Sequence, residues 1–361
     1  MTIRKLLIAN RGEVAIRIAR AAAESGLSTV AVHPDDDAAS LHLRHDDAAH
    51  RLPGRGARAY LDIDAILEAA LENGCDGLHP GYGFLSENAE LARRCAQEGV
   101  RFVGPSVHAL ALFGDKVQAR ALAREQGLPL IAGSAGPVSL AEARDFLRGL
   151  GPDGAMMIKA VAGGGGRGMR PVFDESALEE AYARCRSEAN AAFGSDEVYV
   201  ERLVRAARHV EVQVVGDASG EVVHLWEREC TVQRRHQKLV EIAPSPSLGD
   251  RLRGRIVEAA VRLARAARYD NLGTFEFLVD AQADEDAPEA FAFIEANPRL
   301  QVEHTVTEEV TGIDLVRTQL AIAGGATLAS LGIGQDRIGR PRGHAIQLRI
   351  NMETMDAEGN A

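Results

Sequence analysis

Residues 291–304 read Phe-Ala-Phe-Ile-Glu-Ala-Asn-Pro-Arg-Leu-Gln-Val-Glu-His. The first half alternates with the period of a β-strand, which predicts Phe291, Phe293, Glu295 and Asn297 on one face and Ala292, Ile294 and Ala296 on the other. Pro298 has no backbone donor and ends the ladder. Just beyond it stand Arg299, Gln301, Glu303 and His304: a guanidinium, an amide, a carboxylate and an imidazole. An aspartate-rich connection, 280–289, leads back to a second alternating segment, 274–279, in which Glu276 faces away from Phe275 and Phe277. Paired as a hairpin, the two segments would bring Glu276, Glu295 and Asn297 together. Hard oxygen ligands on a rigid sheet suit magnesium, with nucleotide phosphates completing its shell.

The hairpin belongs to a long chain. Its 361 residues are enough for two or three domains with cores of their own, and 46% hydrophobic with 26% charged residues is an ordinary globular composition. No apolar run approaches a membrane span, and the start lacks a signal-peptide pattern, so a cytoplasmic location is expected. Cys75, Cys95, Cys185 and Cys230 form no C-x-x-C pair, which points away from a zinc site or a disulfide framework. His42, His45 and His50 with Asp46 and Asp47 read as a solvated face and are given no function. A net charge of −11 argues against nucleic acid and anionic membrane as partners. Of 41 basic residues only four are lysines, at 5, 116, 159 and 238, and the last three lie beside candidate ligand motifs. Lysine supplies a compact point charge where the planar fork of arginine does not fit.

In order, a strand at 5–9, a helix at 13–24 and a strand at 29–32 predict a doubly wound parallel sheet. The first turn lacks G-x-G-x-x-G, which excludes a nicotinamide site. Residues 79–88 form a turn-rich loop in which Ser86 is expected to cap the next helix, and Asp115 is expected to cap a helix over 116–126. The strand at 155–160 ends at Lys159 and runs into a glycine run, 163–168, that can fold over a polyphosphate without being a Walker A loop. The strand at 198–204 offers an edge for backbone hydrogen bonds to an adenine, and 229–238 is a candidate anion site. A final strand, 344–351, sets Gln347 and Arg349 opposite Ile346, Leu348 and Ile350.

Seven motifs in this order, at 8–13, 79–88, 114–116, 163–169, 233–238, 273–277 and 295–304, resemble the biotin carboxylase family of ATP-grasp enzymes over nearly the whole chain. The resemblance implies an α/β fold. Its parts are an N-terminal doubly wound parallel sheet (1–115), an ATP-grasp domain (116–325) with a small lid at about 133–204, and the incomplete start of a C-terminal biotin carboxylase domain (335–361). Carried over by position, Lys116, Lys159, Gly165, Gly166, Glu201, Val204, His209, Gln233, His236, Glu276 and Glu295 resemble ATP contacts. Glu276, Glu295 and Asn297 resemble the ligands of magnesium, or of manganese in its place. Lys238, Arg299, Gln301 and Val302 resemble a bicarbonate cradle, Glu303 the general base, and Arg349 the group that holds the biotin enolate.

The implied reaction is ATP- and bicarbonate-dependent carboxylation of biotin on a biotin carboxyl carrier protein or domain. The final strand resembles versions in acyl-CoA carboxylases, which adds a carboxyltransferase as a partner. Family members continue past the position of Ala361 and use that surface in dimerisation, so a homodimer is implied for the full domain and this chain is expected to be a piece of a longer enzyme. Two alternatives stand beside this reading: another ATP-grasp ligase with a different acceptor, and a nucleotide-binding module without turnover.

Overall fold

The structure, a computed structural model, describes residues 3–161, 168–235, 237–350 and 354. Gly165, Gly166 and His236, three of the expected ATP contacts, lie outside the described residues. Short aliphatic strands alternate with helices at the N-terminus: β1 (Lys5–Ile8), α1 (Gly12–Glu24), β2 (Ser28–His33), β3 (Ala48–Arg51), α2 (Ile63–Glu72), β4 (Gly77–His79), α3 (Ala89–Gln97) and β5 (Arg101–Phe102). The strands form a parallel sheet in the order β3-β2-β1-β4-β5. Leu6, Leu7 and Ile8 are fully buried, as a sheet covered on both faces requires. Leu6 and Ile8 pack with Val14 and Ile18 of α1, while Leu7 packs with Ile66 and Leu91 of α2 and α3.

The loop after β4 is pinned from the first turn: the Asn10 amide donates to the carbonyls of Pro80 (2.7 Å) and Tyr82 (2.8 Å). Gly81 sits at φ +65°, and a Cβ there would stand 2.8 Å from Asn10 Nδ2. The expected cap is displaced by two residues. Asn88, not Ser86, accepts the Leu91 N–H (2.8 Å), because the turn continues through Glu87 and the helix starts only at Ala89. Asp115 caps as expected, accepting from Val117 (2.9 Å) and Gln118 (3.1 Å); it follows α4 (Val107–Gly114) and starts α5 (Lys116–Glu125) with Lys116 in its first turn.

A small three-stranded antiparallel sheet follows, built from α6 (Leu140–Gly149), β6 (Met156–Ala160), β7 (Met169–Val172), α7 (Leu178–Phe193) and β8 (Val198–Arg202) in the order β7-β6-β8. Met156, Ile158 and Val200 point into a separate core with Leu147 and Cys185. By the period of two, Met157, Lys159 and Glu201 take the opposite face. The outer edge of β8 is taken by the preceding segment: Ser134 N–H donates to Val200 O (2.9 Å) and Arg202 N–H to Ala132 O (2.7 Å). The adenine edge expected over 198–204 is therefore covered along β8 itself and opens only past Arg202.

The large sheet carries β9 (Ala207–Gly216), β10 (Val222–Arg234), β11 (Gln237–Ala243), β12 (Asn271–Asp280), β13 (Phe291–Asn297) and β14 (Ala345–Leu348), ordered β13-β12-β9-β10-β11-β14. One face is apolar: Val210, Val212, Val214, Phe275, Phe277 and Phe293 pack under α8 (Asp250–Ala266). The other face is polar yet buried beneath α9 (His304–Thr311); two further helices, α10 (Leu315–Ala323) and α11 (Leu328–Leu331), complete the chain's order before β14. The described part of the last strand is shorter than expected. It pairs antiparallel with β11, and Ile346 and Leu348 are exposed on its apolar side. Among the described residues no helix is long and apolar enough to cross a membrane.

The opening hairpin departs from its expected pattern. β12 and β13 pair antiparallel, but the register shifts between Glu276↔Glu295 and Phe277↔Phe293, which leaves Ile294 as an extra residue. This β-bulge reverses the alternation. Phe291 and Phe293 enter the core, while Glu295 and Asn297, predicted on their face, turn to the opposite one with Glu276. Unbulged, the strand would bury its carboxylate or expose its phenylalanines.

Tyr269 wedges against β12, its hydroxyl donating to Leu272 O (3.1 Å), and a Cβ on Gly273 would stand 2.0 Å from that hydroxyl oxygen. Gly273→Ala is expected to lose roughly 1–3 kcal/mol by overpacking. Gly254→Ala in α8, with nothing within 4 Å of its Cβ, is expected to be neutral or to gain up to about 1 kcal/mol. Urea unfolding of the two variants checks the contrast.

Candidate active site

The face of the large sheet that carries the β-bulge forms one wall of a cleft of about 800 Å³, with the small sheet opposite it. Lys116, Lys159, Glu201, Val204, His209, Gln233, Lys238, Glu276, Glu295, Asn297, Arg299, Gln301, Val302 and Arg349 all line it. Glu303 lies at the base of this wall, fully buried. The cleft has two chemically different ends. Ile131, Met157, Met169, Leu203 and Leu278 make an apolar slot between the sheets, and the carboxylates, lysines and arginines make the other end.

At the charged end the Lys238 ammonium, opposite Gln233 in the β10–β11 pair, donates to three carboxylates: Glu211 Oε2 (2.5 Å), Glu303 Oε1 (2.8 Å) and Glu276 Oε1 (2.9 Å). An ammonium has three N–H donors, so the set is saturated. Burial opposes the charge on Lys238, but the three carboxylates outweigh it and hold its pKa well above the usual lysine value. Burial likewise pushes the Glu276 carboxyl up, yet Lys238 and His209 bring it far below the ordinary carboxylate range. His209 Nε2 meets Glu276 Oε2 at 2.7 Å; burial lowers its pKa and Glu276 more than reverses that. Gln233 donates to the other ring nitrogen (2.9 Å).

Glu303 holds two cations at once, Lys238 on Oε1 and Arg349 on Oε2 (2.6 Å). Arg299 is steered by Glu87 from the 79–88 loop, which joins two sequence motifs that are 212 residues apart in the chain, and also approaches Asn297 Oδ1 and Gln301 Oε1 (3.3 Å each). At the mouth of the slot Glu201 accepts from Lys159 (2.5 Å) and from Arg120. Lys116 stands 3.4 Å from Glu295 Oε2.

The expected metal ligands converge: Asn297 Nδ2 reaches Glu276 Oε1 (2.7 Å), and Glu295 is the direct cross-strand partner of Glu276. Two carboxylates and an amide oxygen on paired strands, with lysines nearby, fit a magnesium ion shared with phosphates. Glu276 is also held by Lys238 and His209, so it would exchange one of these partners on binding an ion.

Sequence reading missed several residues here. Glu211 is fully buried and shares a strand face with His209, two positions away, so the alternation of β9 could have found it. Arg228, also fully buried, donates to Glu211 (2.6 Å), Gln213 (2.8 Å), Thr307 (2.9 Å) and Thr274 (3.1 Å). Its strand also carries Glu227 and Glu229 on either side of it, so the sequence marked Arg228 no more than its charged neighbours. Glu87 stood within the 79–88 motif without a role assigned to it, and Arg120 and Glu241 carried no signal.

The fold agrees with known proteins. Residues 2–110 match the family model described as "Biotin carboxylase, N-terminal domain", and residues 115–331 match "Carbamoyl-phosphate synthase L chain, ATP binding domain". Over 357 residues the chain is 51% identical to a pyruvate carboxylase of Bacillus subtilis, covering 98% of this chain and 30% of that protein. The chain thus spans under a third of the length of the curated relatives it matches. The biotin carboxylase of Campylobacter jejuni, in a complex named for β,γ-ATP, superposes with a TM-score of 0.91 at 42% identity, over 98% of this chain and 77% of that one. The biotin carboxylase domain of Hydrogenobacter thermophilus 2-oxoglutarate carboxylase, solved with MgADP, ADP and bicarbonate, gives a TM-score of 0.91 at 39% identity, over 98% and 76%. With both family models matched in tandem and such a structure superposing over almost its entire length, this chain belongs to the biotin carboxylase family of ATP-grasp enzymes.

Proposed function

We propose that the chain catalyses the ATP- and bicarbonate-dependent carboxylation of biotin on a carrier protein or domain, the first half-reaction of a larger carboxylase. The observation that carries this reading is Glu303, a fully buried carboxylate tethered to both Lys238 and Arg349 at the charged end of a two-ended cleft. The division expected from sequence, 1–115, 116–325 with a lid at about 133–204, and 335–361, is kept as part of the proposal, and the separate core of the small sheet supports the lid.

In this reading the adenine enters the apolar slot beside Val204 and Leu278, and Lys116 and Lys159 face the phosphates, with Gly165, Gly166 and His236 assigned by resemblance alone. Magnesium held by Glu276, Glu295 and Asn297 would neutralise phosphate charge. Arg299, Gln301 and Val302 receive bicarbonate, and Lys238 joins them by exchanging one of its three carboxylates. Glu303 takes the bicarbonate proton, and the freed oxygen attacks the terminal phosphorus. The bond to ADP breaks and carboxyphosphate forms. Carboxyphosphate then divides into carbon dioxide and phosphate. The phosphate accepts the ureido N–H proton of biotin, Arg349 holds the resulting enolate, and its nitrogen attacks carbon dioxide.

The final acceptor belongs to a carboxyltransferase. An acyl-CoA was expected from sequence, but curated relatives at 51%, 50% and 51% identity are pyruvate carboxylases, which supports a keto acid. Four buried free thiols support the cytoplasm as the location, and a homodimer is proposed for the complete domain.

Phosphate release measured with and without bicarbonate and free biotin tests the reading. Glu303→Gln keeps the shape and deletes the base, so bicarbonate-dependent ATP cleavage should fall by roughly 10²- to 10⁴-fold; unchanged cleavage would refute the assignment. Lys238→Arg cannot place a planar fork at a point shared by three carboxylates, so the bicarbonate KM should rise much more than the Kd for ATP. Equal effects on the two ligands would remove Lys238 from the bicarbonate site. Magnesium with ATP should stabilise the fold by about 2.7 kcal/mol at a hundredfold excess over Kd, read as a rise in Tm.

A further inference from the structure

Glu241 on β11 is a fully buried carboxylate that the chemistry above does not use. Its Oε1 accepts from Arg349 Nε at 2.5 Å, while its Oε2 is buried with no hydrogen-bond partner. An acid in this position is costly to the fold. Burial pushes its carboxyl above the ordinary value, and Arg349 offsets that only in part. The sheet does not need an acid here: the residue opposite it in β14, Gln347, bonds to Thr305 (2.5 Å) instead.

What the acid does provide is a second hold on Arg349. The guanidinium is gripped from two sides, at Nε by Glu241 and at Nη2 by Glu303 (2.6 Å), and the Arg349 main chain is tied to Leu239 O (2.9 Å). Nη1 has no protein partner among the described residues, and the side chain, 28% exposed, lines the cleft. A bond at Nε, next to the aliphatic stem, sets the orientation of the rigid planar fork and leaves Nη1 and Nη2 to meet other acceptors. Arg349 can then release Glu303 when that carboxylate acts as a base, without losing its own orientation. Held by Glu303 alone, it would be freed at the step that precedes its use.

We infer that Glu241 is a positioning residue for Arg349, acting as the fixed anchor about which the guanidinium passes from Glu303 to the biotin enolate. This rests on the proposed role of Arg349, so the test carries both. Glu241→Gln, Arg349→Ala and the double variant are made in the full polypeptide, with Glu241→Asp as a second, charge-conserving probe. Folding is checked by ATP-induced stabilisation, and carboxybiotin from free biotin is measured beside bicarbonate-dependent phosphate release. Carboxybiotin should fall at least about ten-fold further than phosphate release in Glu241→Gln. It should fall further still in Arg349→Ala, and no further in the double variant, since an anchor has no effect once its arginine is gone. Glu241→Asp should show the same split more weakly. If Arg349→Ala lost both activities in equal proportion, the role of Arg349 itself would fall, and this inference with it. If Arg349→Ala separated the activities but neither Glu241 variant did, or if the losses added in the double variant, Glu241 would be structural only and the inference alone would be overturned.

Discussion

Everything at the charged end of the cleft depends on one buried ammonium meeting three buried carboxylates. Removing Glu211, Glu276 and Glu303 from water is costly, and each is tolerated because Lys238 reaches it within 2.9 Å. Geometry selects lysine over arginine here, since three acceptors arranged around one point match a tetrahedral ammonium. Arg228 completes the balance. Its guanidinium takes the other oxygen of Glu211 and ties β9, β10, β12 and α9 together, so the cluster cannot shift without moving four elements. Taking away Lys238 would leave like charges facing one another, a loss on the order of 3–5 kcal/mol for a broken buried pair.

The other wall is built separately. The small sheet has its own core, and it meets the cleft through Lys159, which donates to Glu201, a carboxylate that also accepts from Arg120. The cleft therefore has an apolar slot enclosed between the two sheets and a charged end built on the large one. The β-bulge at Ile294 lets a single strand serve both purposes, anchoring in the core through Phe291 and Phe293 and turning Glu295 and Asn297 into the cleft.

Much of this was legible in the amino-acid order. The parallel sheet followed from aliphatic runs alternating with amphipathic helices, and the pairing of the 274–279 and 291–297 segments followed from their strand-like alternation. The rest was hidden for particular reasons. Strict alternation put Glu295 beside the phenylalanines because a bulge adds a residue without any sequence mark. Ser86 and Asn88 are both good caps, and the turn geometry that selects Asn88 is set by contacts to Asn10 from another element. Glu241 and Arg120 act through partners 108 and 81 residues away, a distance at which local pattern is silent.

The central claim is that bicarbonate itself, deprotonated at Glu303, attacks the terminal phosphorus of ATP. Oxygen tracing tests it most directly: turnover with ¹⁸O-labelled bicarbonate in unlabelled water, with the released inorganic phosphate analysed by mass. The account predicts one labelled oxygen carried from bicarbonate into phosphate for each ATP cleaved, because the attacking oxygen stays on phosphorus when carboxyphosphate divides. Phosphate free of label, formed at the same rate, would show that water is the nucleophile and would contradict the account.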